Sequence, residues 1–339
     1  MEIVIKVGFI KPKRKQIFFI MFTLISILVL VYVFQNISDD IIYSTKEFSL
    51  PSETHNMNSI VEFPPDAYYM EPCRHPKVSN AIKNKYDIIV VTGASSNHFC
   101  PLKSLLYRLK EQGTEVGIIV YDFGLKKPSR KEILRLKKLG YVTEFRALNF
   151  SAYPSFWSLK TNKANRGEYG WKIGAIAEVA RDYHGKIVVW MDSGTMGSEK
   201  YFANLKEWLP HFHGFISPAS VGPVSRWTHP GVYEYFHDNH TLYDDIPKNC
   251  AGGSIAFDTN ISQYLINDWY KCALNKDCIA PPGSSRKNHR QDQALLTYLV
   301  QRRGILCRTG RDELGVATHL DGLCKEYNRD YEEKNRSKL

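Results

Sequence analysis

No internal repeat and no low-complexity tract runs through this sequence, which argues against repeat arrays and fibrous architectures. The cysteines never fall into the paired short Cys/His clusters that hold zinc. No nucleic-acid-binding motif is present, so a nucleic acid is not an expected partner. The formal net charge of +10 therefore points to a phosphate-bearing ligand, to an acidic polymer, or to no more than a solvated basic face. A lone glycine loop, Val91-Thr92-Gly93-Ala94-Ser95-Ser96, resembles the nucleotide loop of short-chain dehydrogenases. However, Asn97-His98-Phe99-Cys100 adds no further glycine and no Tyr-x-x-x-Lys pair supplies a base. An NAD(P)-dependent dehydrogenase is thus only a minor alternative.

What is present begins with an uncharged apolar run from Ile17 to Phe34, of 18 residues, just long enough to cross a bilayer as a helix. Lys11, Lys13, Arg14 and Lys15 precede it and Asp39 and Asp40 follow, so residues 1–16 are expected on the cytoplasmic side. Val33-Phe34-Gln35-Asn36 lacks a small-residue cleavage signature, which favours an uncleaved signal anchor over a signal peptide. The expected localisation is a Golgi or endoplasmic reticulum membrane, single-pass, with the C-terminal part luminal. Sequons at Asn36, Asn149, Asn239, Asn260 and Asn335 all lie beyond the span, as do all seven cysteines. In an oxidising lumen those cysteines can pair, with one left over, and Cys272 with Cys278 is the easiest local bridge. Residues 35–83 are polar, carry Pro64-Pro65, and are expected to be a partly disordered stem before a globular domain over residues 84–325. A charged, frayed tail is expected at 326–339.

The globular part alternates strand and helix patterns, which predicts a doubly wound, mostly parallel α/β sheet. Strands are expected at 87–94, at 116–121 ending on Asp122, at 141–148, and at 187–191; shorter ones are expected at 214–217 and 250–258. Leu102, Leu105, Leu106 and Leu109 line one helix after Pro101. Ser129 and Glu132 form a candidate capping box for a second helix. Further helices are expected at 198–209, 261–273 and 291–301. The organising stretch is Tyr169 to Gly194, in which Ile173, Ile176, Ala177 and Ala180 mark a helix face and Ile187 to Met191 an unbroken buried-type strand. That strand stops at Asp192-Ser193-Gly194. Ligands of open α/β sheets collect at the carboxyl ends of strands, although Asp-Ser-Gly is also ordinary turn chemistry.

Taken together, the anchor, stem, α/β domain and aspartate after a hydrophobic strand resemble a Golgi glycosyltransferase of the GT-A type. Tyr169-Gly170-Trp171-Lys172, Val188 to Gly194, Trp227-Thr228-His229-Pro230-Gly231 and Asn288 to Gln293 look like a largely uncharacterised family of nucleotide-diphospho-sugar transferase-like proteins, over roughly residues 86–324. Asp292-Gln293, after Gly252-Gly253, is also similar to the retaining transferases related to glycogenin.

The resemblance implies a nucleotide-sugar donor, with a UDP-sugar as the default, a glycan or glycoprotein acceptor, and a divalent cation, Mn2+ or Mg2+. It implies that Gly93, Ala94 and Asp122 line a nucleoside pocket, that Lys172 faces the diphosphate, and that Asp192, with His319, holds the cation. Asn249, Gly252 and Gly253 would shape the sugar pocket; Asp292 would be the carboxylate at the reacting centre, with Gln293 beside it. Position 194, where the family's Asp-x-Asp signature has its second aspartate, is Gly194. That departure keeps open a metal-independent protein, or a non-catalytic one that binds glycans or a partner.

Overall fold

The computed structural model describes residues 61–339 apart from 74, 76–79, 247, 308 and 338. The span expected at 17–34, with the tail before it and the sequon at Asn36, lies outside the described residues. Among the described residues no helix is long and apolar enough to cross a membrane.

Four strands build the parallel part of a six-stranded sheet: β1 (Ile88–Ala94), β2 (Gly117–Asp122), β3 (Glu144–Ala147) and β4 (Ile187–Met191). With β5 at Met196–Gly197, β6 at Phe215–Ile216, β7 at Ala219–Ser220, β8 at Asn249–Cys250, β9 at Ser254–Asp258 and β10 at Val316–Ala317, the order in the large sheet is β3-β2-β1-β4-β9-β6. The β1–β2, β2–β3 and β1–β4 pairings are parallel, whereas β9 runs antiparallel to both β4 and β6. The architecture is thus mixed α/β with a parallel-rich sheet. The chain winds outward from β1 to β3 and then crosses back to β4, which places a topological switch point between β1 and β4. There the loops after two adjacent strands part and leave a crevice. Strand β4 is buried at every residue, but it is parallel on one side only.

The apolar strands bury both faces, and alternate residues feed two cores. Ile89, Val91, Val188, Trp190, Ile255 and Phe257 pack on one side with helices α3 (Gly170–Asp182), α5 (Gln263–Leu274) and α6 (Gln291–Gln301). Ile88, Val90, Ile187, Val189 and Met191 pack on the other with α1 (Phe99–Glu111), α2 (Lys127–Lys138), α4 (Glu199–His211) and α7 (Cys324–Lys334). Burying a Leu- or Ile-sized side chain is worth roughly 1.5–3 kcal/mol, so these two layers dominate the stability of the domain.

Several expectations need correction. Helix α2 begins at Lys127, with Pro128 in its first turn, and Ser129 caps nothing; Glu132 instead forms an ion pair with Arg135. The strand expected at 250–258 is two strands, because Gly252-Gly253 turns the chain out of β8 and into β9. The tail expected to fray after Lys325 is helix α7, held to α1 by the Cys100–Cys324 disulfide and by stacking of Tyr331 on Tyr107. Residues 61–73, read as stem, lie against the domain. Val61 is buried, Phe63 meets Phe236 edge-on at 5.3 Å, and the Arg181 guanidinium donates to the carbonyls of Pro72 and Cys73. The other bridges are Cys250–Cys307 and the expected Cys272–Cys278, which leaves Cys73 free.

Helix α3 owes its position to two glycines. A Cβ on Gly170 or Gly174 would run into the ring of Trp157, whose Nε1 donates to the Ala273 carbonyl at 2.9 Å. The tryptophan thereby locks α3 against α5, and the first turn of α3 carries Lys172 to the carboxyl end of β4.

Candidate functional site

The carboxyl ends of β1, β2 and β4 open into a crevice of about 1220 Å³. Gly93, Ala94, Asp122, Lys172, Asp192, Gly194, Gly252, Gly253, Asp292, Gln293 and His319 all line it. Asn249 does not. It is fully buried, and its Nδ2 donates to the carbonyls of Gly222 (2.9 Å) and Pro223 (3.1 Å), so it braces the preceding loop instead of shaping a sugar pocket. A smaller cavity of about 860 Å³ lies between α1, α2 and α7, away from these strand ends.

Lys172 is the centre of the site. Its side chain is only 4% exposed, and Nζ lies 2.8 Å from Asp292 Oδ2, 3.4 Å from Asp192 Oδ1 and 3.1 Å from the Gly252 carbonyl. Burial works against the ammonium, but the two carboxylates outweigh it and hold the Lys172 pKa above the ordinary lysine value. Burial is also the main influence on Asp292 and raises its pKa, with Lys172 pulling the other way. Asp192 differs: its side chain is 48% exposed and reaches into the crevice, steered by Trp190 Nε1, which donates to Oδ1 at 2.8 Å. One buried cation therefore joins one exposed and one buried carboxylate.

The walls are less uniform than the expected roles. Gly93 is required by packing, because a Cβ there would collide with the Phe123 ring and the Tyr121 carbonyl, and its backbone lines the crevice. Asp122 is committed to its own loop: Oδ1 accepts from the backbone N–H groups of Gly124 and Leu125, and Oδ2 pairs with Arg130 Nε at 2.5 Å. Gly252 lies close to the central groups, since a Cβ there would sit in van der Waals contact with Asp292, Gln293 and Lys172, at 3.4 to 3.7 Å. Backbone strain gathers at this crevice. Arg166, Glu168, Tyr169, Gln291 and His319 all have positive φ, between 37° and 62°. Buried Glu168 and Gln291 hold each other through a 3.1 Å hydrogen bond. Non-glycine residues in this region are costly, and such clusters mark places where geometry is fixed for function.

Asp192 and His319 share the crevice and Asp321 joins them, but among the described residues no three His, Cys, Asp or Glu side chains come together as a metal-holding set. Space at Gly194 is already taken: a Cβ there would strike the Asp321 carboxylate. The residues present do not fit a bound metal.

Sequence reasoning missed Asp321 and gave no role to Trp171, Trp190, Trp227, Arg286, Arg290 or Arg311, all of which line the crevice. Lys160, Lys163 and Arg166 add further positive charge to the same walls. Trp171, Trp190, Trp227 and Arg290 fall within the stretches that carry the family resemblance, so the sequence holds a signal there without a role attached.

A family model described as "Protein of unknown function (DUF1647)" matches residues 69–172. No curated protein matches the chain. Among solved structures, the chain is similar to the galactosyltransferase LgtC in complex with donor and acceptor sugar analogues. The two share 13% identity with a TM-score of 0.46, covering 74% of this chain and 100% of that one. It is similar to the mannosyltransferase Ktr4p from S. cerevisiae at 9% identity and TM-score 0.43, covering 68% and 71%. For the bifunctional glycosyltransferase WbbM the values are 11% and 0.41, over 66% of this chain and 38% of that one.

Proposed function

We propose that the chain is a glycosyltransferase with a GT-A-like domain, which moves a sugar from a nucleotide-diphosphate donor to a glycan or protein acceptor. The observation that carries this reading is the Asp192–Lys172–Asp292 arrangement in a crevice with many cationic walls, beyond the strand ends at a topological switch point. A UDP-sugar is the default donor. We also read the chain as a single-pass protein of the Golgi or endoplasmic reticulum membrane with this domain luminal, on the strength of the apolar run at 17–34 and the basic residues before it.

In the proposed reaction the bond from the anomeric carbon to the diphosphate oxygen breaks and a bond to the acceptor oxygen forms. The departing diphosphate gains negative charge, which the cationic walls stabilise more in the transition state than in the ground state. Lys172 keeps both carboxylates aimed into one space and offsets part of their charge. Asp292, its pKa raised by burial, is a better proton acceptor than an exposed carboxylate and serves the acceptor hydroxyl. Gln293, half-buried with an Nε2 that has no partner among the described residues, offers a donor beside it.

The test is a thermal-shift screen of sugar nucleotides against the full chain, with and without Mn2+. A true donor raises the melting temperature because it binds only the folded state. If no sugar nucleotide shifts the transition, the chain is better read as a non-catalytic protein that binds glycans or a partner, which Gly194 in place of a second aspartate already favours.

A further inference from the structure

Arg286 and Arg290 line the crevice and Arg226 shares the Trp227 ring with Arg290, and among the described residues no carboxylate pairs with any of the three. Arg290 lies over the Trp227 ring at 4.0 Å and Arg226 over the same ring at 4.8 Å, while Arg286 approaches the Tyr169 ring at 6.0 Å. The one polar side-chain partner of Arg290 among the described residues is Ser220 Oγ, at 3.4 Å. Half-burial lowers the Arg290 pKa, and the charges that act on it, Arg226 and Arg286, lower it further. Like charges that act on one another, with no counter-charge paired to them among the described residues, are relieved when an anion completes the set.

The cluster is firmly built. The Arg290 N–H donates to the Trp227 carbonyl at 3.0 Å, and His289 Nδ1 accepts from the His229 N–H at 3.2 Å, so the two loops are joined. Arg286, Arg290, Ser220 and Trp227 all line the crevice. The fold sets Ser220 and Arg290, 3.4 Å apart, away from the ends of β1 and β2, where the resemblance puts the nucleoside. Gly93 and Asp122 lie at the ends of β1 and β2, on one side of β4, whereas Ser220 belongs to the β7–β8 pair that leads into β9 on the other. Arg290 also stands two residues before Asp292, at the entry to α6.

We propose that Arg286 and Arg290, backed by Arg226 and Trp227, form an acceptor subsite for an anionic oxygen group, so that the acceptor is an acidic glycan bearing sulfate or carboxylate. The designation as acceptor side rests on the transferase reading; the anion binding itself does not. Guanidinium forks suit planar or tetrahedral oxyanions through paired charge-assisted hydrogen bonds.

The experiment measures binding of the full chain to dextran sulfate and to neutral dextran at fixed salt, and to chondroitin sulfate against hyaluronan, which carries carboxylate alone. UDP binding is measured in parallel. Dextran sulfate should bind and dextran should not. Arg286→Gln with Arg290→Gln should weaken dextran sulfate binding by about tenfold or more, the loss expected when at least one charge-assisted contact is removed. Lys137→Gln with Lys138→Gln, which removes two charges from the far end of α2, should change it little. Because Arg290 packs on Trp227, the single exposed variant Arg286→Gln is measured as well, with melting temperatures for all. Preference for chondroitin sulfate assigns the group as sulfate, and equal binding of hyaluronan assigns it as carboxylate. Unchanged dextran sulfate binding in folded Arg variants overturns the proposal, as does a matching loss of UDP binding, which would give these arginines to the donor. A chain that binds no sugar nucleotide but loses polyanion binding in the variants keeps the anion subsite and loses only the transferase reading.

Discussion

Asp321 stands directly over Gly194. The Leu320 N–H donates to the Gly194 carbonyl at 2.9 Å, and the Asp321 carboxyl group fills the space that a side chain at 194 would need. The pairing of β5 with β10 brings these segments together. A glycine at this position is therefore a packing requirement of the chain's own C-terminal segment.

Gly194→Asp should accordingly fail to create a metal site. It should cost about 1–3 kcal/mol, the usual penalty of overpacking, with charge repulsion from Asp321 added. Denaturant melts of the variant and parent measure this. In the same vein, the parent treated with EDTA should show the same donor-induced thermal shift as untreated protein. A shift that disappears with EDTA and returns with Mn2+ would falsify the metal-free arrangement.

Lys172→Met should be strongly destabilising, by about 3–5 kcal/mol, because it leaves Asp292 buried beside Asp192 without a cation. Adding Asp292→Asn to that variant should recover part of the loss, since the orphaned charge is then gone. The sign with pH follows from the raised Lys172 pKa: the contribution of the lysine is complete below the ordinary lysine value and fades as pH rises through the higher folded one. The stability gap between parent and Lys172→Met should thus narrow in strongly alkaline solution, where the lysine loses its proton, and also toward acid pH, where the buried Asp292 of the variant takes one up. Urea melts across pH check both points.

The two carboxylates should separate kinetically. Asp192→Asn removes an exposed negative charge from the crevice that takes the anionic diphosphate, and with no cation between them it should leave donor binding equal or tighter, seen as an undiminished thermal shift. Asp292→Asn should leave donor binding nearly intact while lowering kcat, as expected for a contact made mainly in the transition state. Equal effects on both measurements would mean that the carboxylates act as one unit.

His289 predicts an acid limb. Burial pushes its pKa down to about 4, and protonating Nδ1 would break the hydrogen bond it accepts from the His229 N–H. A depressed folded pKa gives stability that is complete above the unfolded value, near 6.5, and lost as pH falls toward 4. The parent should lose on the order of 3 kcal/mol over that interval from this group. His289→Gln should be less stable at neutral pH and show a shallower acid slope. Chemical denaturation at several pH values between 4 and 7 provides the measurement.

Much of this site is legible in the sequence because its signals are local. The run Ile187 to Met191 is uniformly apolar, so its burial and its stop at Asp192 follow from a short window. Asp292 opens α6 where the helix pattern begins. The joining of Lys172 to both aspartates could not be read, because three separate segments meet there only after the sheet has formed. Asp321 escaped for the same reason, as its position depends on β10 pairing with β5. The C-terminal helix was a different failure: Cys324, Tyr327, Asn328 and Tyr331 follow helical spacing, but the surrounding charge hid a face buried by aromatic stacking and a disulfide. Gly252-Gly253 was read as part of one strand because apolar residues flank it on both sides. The turn becomes visible only through the different partners of β8 and β9.

The bridge from Cys100 to Cys324 has a consequence for the timing of assembly. It joins residues 224 positions apart, and His319 and Asp321 lie just before its second cysteine. During synthesis the sheet can order while residues 316–324 are still inside the ribosome, but one crevice wall is absent until they emerge. A ribosome-stalled or proteolytically shortened product ending before β10 would carry β4 and Asp192 in place, with Gly194 uncovered.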